Sequence, residues 1–333
     1  MSTDTIANTV TNEILVSSSP HMLSDVSTKK IMWTVIITLM PAAIFAVYLF
    51  GTPALLTLVW GGLSAVIFEA IVQKLRKKPI TVSDGSALLT GLLLAMCVPP
   101  AVPAYVPIVG SFIAIVIAKQ AMGGLGQNIF NPAHIGRAAL MVSWPVAMTT
   151  WTKMPSVVDT FTSATPLNIL KQAGGNYDVL YSVFGSQSEM YKALFLGLRN
   201  GSIGETSVVL LVLGGLVLIY KRYIDWVIPV FMIGTVGILT WVFGPTGLFS
   251  GDGLFHMMAG GLIIGAFFMA TDYVTAPLTR KGQIIFAIGA GLITVLIRLL
   301  GGYPEGVCYS ILLMNALTPL IDRFVKPVLY GRK

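Results

Sequence analysis

Along most of this chain, apolar residues run on for as long as a helix needs to cross a bilayer, and charge is confined to the gaps between the runs. A crossing helix takes about 20 such residues. Segments 31–50, 54–73, 86–99, 104–121, 135–150, 205–220, 226–244, 254–271, 283–300 and 306–321 fit that requirement, some of them short or interrupted by Gly and Pro. Of the 333 residues, 55% are apolar and 11% charged, whereas a soluble domain carries about 25% charged residues. Too few charges remain to cover a water-exposed surface. The expectation is an all-α polytopic membrane protein with about ten transmembrane helices embedded in the lipid bilayer. The net charge of +7 then reports orientation rather than nucleic-acid binding.

Alternate crossings from a cytoplasmic N-terminus put sixteen of the 21 Lys and Arg residues at inner positions. The outer five are Lys153, Lys171, Lys192, Arg199 and Arg298. The positive-inside rule therefore predicts a multi-pass protein of the cell (inner) membrane with both termini cytoplasmic. Five parts follow: a cytoplasmic segment 1–30, a first five-helix repeat 31–150, an external loop 151–204, a second repeat 205–321 and a cytoplasmic tail 322–333. Residues 1–30 lack the apolar core of a signal peptide. The repeats are read from Asp84-Gly85 and Asp252-Gly253, each ahead of a Gly-interrupted apolar run. Gly123-Gly124 and Gly301-Gly302 form a second rough pair. An odd number of crossings inverts the second repeat, an arrangement that builds sites near the midplane.

The longest polar interval holds Asp159, Thr162, Ser163, Ala164 and Thr165, followed by Pro166. Pro166 restricts Thr165 to an extended conformation, expected to turn its side chain outward. Two readings stay open on these residues alone: a solvated loop with helix-capping hydroxyls, or a point of covalent attachment for a phosphate-bearing group. Intramembrane carboxylates are costly and mark ion routes, so Asp84, Asp252, Asp272 and Glu305 are candidates for an ion path. The competing reading is that they satisfy helix N-termini. Glu69, near the end of a span, either snorkels or pairs with Lys74 on this view. Residues 123–133, with three glycines, read either as a re-entrant loop for a cofactor or partner, or as a turn with Asn131-Pro132 starting the next helix. Ser202 and Glu205 have capping-box spacing. Cys97 and Cys308 lie far apart, and His21, His134 and His256 lack metal-ligand spacing, so no metal and no catalytic residue is assigned.

Several long motifs stand in a recognisable order. They are Ser19-Pro20-His21, Ser83-Asp84-Gly85-Ser86, the stretch from Gly123 through Asn131-Pro132-Ala133, Ser163-Ala164-Thr165-Pro166, Gly201-Ser202-Ile203-Gly204-Glu205, Ala270-Thr271-Asp272-Tyr273 and Gly301-Gly302-Tyr303-Pro304-Glu305. Over nearly its whole length the chain resembles the D subunit of the Rnf electron-transport complex, related to the B subunit of the sodium-pumping NADH:quinone oxidoreductase. The resemblance implies FMN esterified through its phosphate to Thr165 by a flavin transferase. Asp159, Thr162, Ala164 and Thr165 match the attachment pattern, and Ser163 stands where Gly is usual. It also implies a place among the membrane and peripheral subunits of an ion-translocating ferredoxin:NAD oxidoreductase, with the chain catalytically incomplete alone. Residues 123–133 become a candidate for a second, non-covalent flavin. The alternatives are the B-like component of the sodium-pumping enzyme, or a small-solute channel or transporter.

Overall fold

The structure, a computed structural model, describes residues 26–151, 164–244 and 247–327. The first set of helices is α1 (Thr28–Phe50), α2 (Thr52–Leu75), α3 (Ser86–Met96), α4 (Tyr105–Phe112), α5 (Pro132–Ser143) and α6 (Pro145–Thr149). α4 continues through wider π-type turns over Ile113–Gln120. Gly51, at φ 72°, turns the chain sharply between α1 and α2. Asn131 starts α5 as the turn reading expects: its side chain accepts from the backbone N–H groups of Ala133 and His134. Pro132 occupies the first turn, where its missing N–H costs nothing.

Three short helices follow: α7 (Pro166–Gln172), α8 (Tyr177–Phe184) and α9 (Gln187–Leu196). The second set is α10 (Val208–Tyr220), α11 (Val227–Val242), α12 (Gly253–Met258), α13 (Leu262–Ile264), α14 (Arg280–Leu299) and α15 (Val307–Phe324). Two-residue strands, β1 (Phe243–Gly244) and β2 (Gly247–Leu248), pair antiparallel between α11 and α12.

Among the described residues, α1, α2 and α14 are long and apolar enough to cross a membrane alone, and α3, α4 with its extension, α10 and α11 are shorter apolar helices. Several expected segments differ in form. The run 254–271 is not continuous: α12 ends at Met258, Gly260 takes φ 69°, and the chain resumes as α13 and a π-type segment Gly265–Met269. The run 86–99 stops as a helix at Met96, just ahead of Pro99-Pro100. The run 135–150 starts earlier, at Pro132, and is divided at Trp144. Broken helices of this kind survive at membrane depth only when protein satisfies the freed backbone groups.

α2 packs against α3 and α4, and α4 against α5. In the same pattern α11 packs against α12 and α14, and α14 against α15. Contacts of α1 with α10 and of α5 with α15 join the two sets. The α2–α3 crossing is tight: a Cβ on Gly91 would lie 2.3 Å from the Gly61 carbonyl oxygen. At one end of the bundle Trp33 donates to Ser83 O, while Arg76 and Lys78 donate to the carbonyls of Gln120 and Gly123. At the other end Ile203 N donates to Val98 O and Thr57 to Pro100 O. Helices α7–α9 sit at this second end. Leu167, Leu170, Leu180, Phe184, Met190 and Leu194 form a small core there with Phe255 and Ala259.

Candidate functional site

Thr165 is the N-cap of α7, with φ −70° and ψ 153°. Its side chain is 2% exposed and does not point outward as expected. The extended backbone that Pro166 demands is also the N-cap conformation. In that geometry the hydroxyl folds back over the first turn and accepts from Asn168 N at 3.3 Å. Ala164 is half-buried beside it. Asp159, Thr162 and Ser163 lie outside the described residues, as does Ser19-Pro20-His21.

A cavity of about 530 Å³ adjoins α7, lined among others by Leu167, Leu170, Lys171, Tyr177, His256 and Arg298. Lys171 does not extend into solvent but donates to the carbonyls of Gly301 and Tyr303. Its partial burial lowers its pKa. Nearby, Asp252 caps α12 by accepting from Phe255 N at 2.9 Å. Its other oxygen accepts from Tyr191 at 2.6 Å and Tyr181 at 3.2 Å. Burial and then the Asp252 bond push Tyr191 up to about 12, and burial with the Asp252 charge raises Tyr181 as well. Tyr177 hydrogen-bonds to Nε2 of His256 at 3.2 Å. Asp252 therefore fastens α8 and α9 to the start of α12.

Of the other three carboxylates, Asp84 and Glu305 are as firmly engaged and Asp272 is held more weakly. Asp84 accepts from the N–H and hydroxyl of Ser86 at 2.7 and 2.8 Å. Asp272 accepts weakly from Thr275 at 3.4 Å and lines a central cleft. Glu305 pairs with Arg137, both side chains 9% exposed. Asp84 and Asp272 belong to one end of the bundle and Asp252 and Glu305 to the other. Glu205 does not form the expected capping box. Ser202 donates directly to its carboxylate at 2.7 Å, and Ser207 caps α10 instead.

The most consequential polar contacts were not legible in the sequence. Glu69 pairs with Lys119 at 2.9 Å, each side chain 2% exposed, and not with Lys74. Lys119 also donates to Ser86 Oγ at 2.7 Å, while Gln120 and Gln73 donate to the other Glu69 oxygen. At the opposite end Arg298 donates to the carbonyls of His256 (2.6 Å) and Ala259 (2.9 Å). Arg199 donates to the carbonyls of Met258 and Glu205. Thus Arg199 and Arg298, placed among the outer cations, are buried and hold the broken end of α12. The available signal was a cation inside or beside an apolar run, which has to find an internal partner; which partner it finds is set by the fold.

The central cleft lies where the two sets of helices meet. Ser86, Lys119, Asn128, Asn131 and Asp272 give it polar edges between apolar walls that include Leu89, Leu93, Phe267 and Phe268. Asn131 also donates to Met269 O at 3.1 Å, tying residues 123–133 to the π-type segment. Among the described residues no group of three or more His, Cys, Asp and Glu side chains is placed to hold a metal ion.

The NQR2, RnfD, RnfE family matches over residues 15–331. The chain is similar to the D subunit of the proton-translocating ferredoxin:NAD(+) oxidoreductase complex of Clostridium ljungdahlii, at 67% identity over 97% of each chain. It is 50% identical to the D subunit of the Na(+)-translocating ferredoxin:NAD(+) oxidoreductase complex of Acetobacterium woodii, over 96% of this chain and 95% of the relative. The D subunit of the ion-translocating oxidoreductase complex of Stutzerimonas stutzeri is 41% identical over 92% and 93% of the two chains.

Proposed function

From the premise that the chain belongs to the NQR2, RnfD, RnfE family, we propose that it is a membrane electron-transfer subunit of an ion-translocating ferredoxin:NAD oxidoreductase complex, with FMN esterified to Thr165. The observation that carries the flavin assignment is the position of that hydroxyl. It stands at the N-terminus of α7, where the positive end of the helix dipole favours a phosphate, and next to the cavity lined by Leu167, Leu170 and Lys171. The small Ala164 leaves room on the other side.

Bound there, the flavin supplies electron transfer in one- and two-electron steps. The chain's own contribution is position and electrostatics. Thr165 would provide the ester oxygen, the first turn of α7 would offset the phosphate charge, and Lys171 places a cation beside the cavity. The Tyr181–Asp252–Tyr191 contacts hold the helices that carry this site against α12. Because Thr165 is buried, esterification by a flavin transferase requires the start of α7 to be open when the transferase acts.

A second, non-covalent flavin is assigned to the central cleft. Its apolar walls and the polar residues Ser86, Asn128 and Asn131 along its edges support this. For the fold we propose ten crossings in two inverted sets of five. Helices α1, α2, α3, α4 and α5 correspond to α10, α11, α12–α13, α14 and α15. The parallel packing of α2 on α3 and α4, and of α11 on α12 and α14, supports that correspondence. With the basic inner loops it puts both termini in the cytoplasm and α7–α9 outside.

The decisive experiment is denaturing gel electrophoresis of the natural complex under ultraviolet light. A fluorescent band at this subunit, lost in Thr165→Val and confirmed by the mass of the Thr165 peptide, is the expected result. A native peptide of unmodified mass overturns the flavin assignment.

A further inference from the structure

Two buried cations hold equivalent places at opposite ends of the molecule. Lys119 lies at the end of the α4 extension, four residues before Gly123. Arg298 lies at the end of α14, three residues before Gly301. Lys119 is 2% exposed and Arg298 6%. Each reaches the interrupted helix of its own set. Lys119 contacts Ser86, the first residue of α3, together with Glu69. Arg298 contacts the carbonyls of His256 and Ala259, around the end of α12.

Unwound carbonyls and the C-terminal ends of half-helices at such breaks, and buried carboxylates beside them, are where membrane transporters hold a mobile cation. Here Arg298 holds two of those carbonyls, and Arg199 takes another that lies between them in sequence, Met258 O. At the other end the Glu69 carboxylate is filled by the Lys119 ammonium and two glutamine amides.

We propose that Lys119 and Arg298 are tethered cations. Each occupies, permanently and from within, the position at which a broken-helix protein would bind a travelling ion. The chain is thereby sealed to ions, and the coupled ion crosses the complex outside it, along another subunit. Lys119 and Arg298 are positioning residues in this scheme: they fix the two helix breaks and keep free cations off them. The engagement of Asp84, Asp252 and Glu305 in internal contacts agrees with it. The inference rests on the reading that the subunit works within an ion-translocating complex.

The test uses the whole complex reconstituted in liposomes, with three readouts: passive uptake of radioactive sodium and of protons without substrate, ions moved per electron, and ferredoxin:NAD electron transfer. In Arg298→Gln the carbonyls of His256 and Ala259 are released. Passive cation uptake is expected to rise about tenfold or more, which needs the barrier to fall by only about 1.4 kcal/mol. Ions per electron fall, while Arg298→Lys keeps the charge and restores a tight membrane. Lys119→Met makes the same prediction at the other end and serves if Arg298→Gln does not assemble. An assembled variant with normal electron transfer and unchanged permeability overturns the proposal. So does an Asp252→Asn or Glu305→Gln complex that transfers electrons but no longer moves ions, since the route then runs through this chain. A wild-type complex that moves no ions at all refutes the functional reading instead.

Discussion

Replacing Lys119 by Met leaves the Glu69 carboxylate inside the bundle without its ammonium partner. The pair is 2.9 Å long and both side chains are 2% exposed, so solvent cannot take over from the lost charge. Breaking one side of a buried pair costs about 3–5 kcal/mol, because the remaining ion keeps its desolvation penalty. The structure orders the two single variants within that range. After Lys119→Met, Glu69 retains the amides of Gln120 at 2.9 Å and Gln73 at 3.3 Å, which puts the cost near the lower end, about 3 kcal/mol. After Glu69→Gln, Lys119 keeps Ser86 Oγ and an amide oxygen but loses the carboxylate charge that faced it, and the cost moves toward about 5 kcal/mol. Removing both charges eliminates both stranded ions, so Glu69→Gln/Lys119→Met falls short of the sum by at least about 2 kcal/mol. The assay is reversible denaturant titration in mixed micelles followed by circular dichroism. Additive costs would refute the coupling of the pair, and a Lys119→Met variant less stable than Glu69→Gln would refute the support assigned to the two amides.

Gly91→Ala forces a methyl group against the Gly61 carbonyl and the Ala65 side chain. It is expected to cost about 3 kcal/mol by overpacking, read as lost thermal stability. Gly234→Ala meets nothing within 4 Å and should be neutral or gain up to about 1 kcal/mol of helix propensity. Asn131→Ala removes the α5 cap and the bond to Met269 O, costing about 2 kcal/mol in the same assay. Tyr191 has a folded-state pKa pushed up to about 12, above its ordinary value of about 10. Its contribution is therefore complete below pH ~10 and disappears as pH rises through ~12. Protection of α8–α9 from proteolysis should fall across that window in the native chain, and Tyr191→Phe should flatten the dependence.

Signals that act within a few residues were legible in the sequence. Asn131-Pro132 starts α5 through contacts two and three residues away. Asp84 and Asp252 precede α3 and α12 and accept from backbone N–H groups two and three residues on. The interruption near Gly260-Gly261 followed from residue type, since a backbone at φ 69° suits glycine. Signals that need the fold to be closed were not. Glu69 has Lys74 five residues away, yet its partner is Lys119, fifty residues distant in sequence. Arg137 and Glu305 are separated by 168 positions. The acceptors of Arg199 and Arg298 are carbonyl groups, which every residue carries and no motif marks.

Thr165 shows how one local rule supports opposite conclusions. The restriction imposed by Pro166 holds, because Thr165 is extended. Whether an extended pre-proline residue projects into solvent or folds over the next turn depends on the element that the proline begins. Here Pro166 opens a helix, and an extended residue directly before a helix is an N-cap. The same step links structure to the proposed chemistry. A hydroxyl that caps a helix lies at the positive end of the helix dipole, and that end favours the negative charge of a phosphate ester at the same oxygen. The capping and attachment readings of this threonine are therefore not rivals: the cap geometry supplies the electrostatic setting that the proposed ester would need.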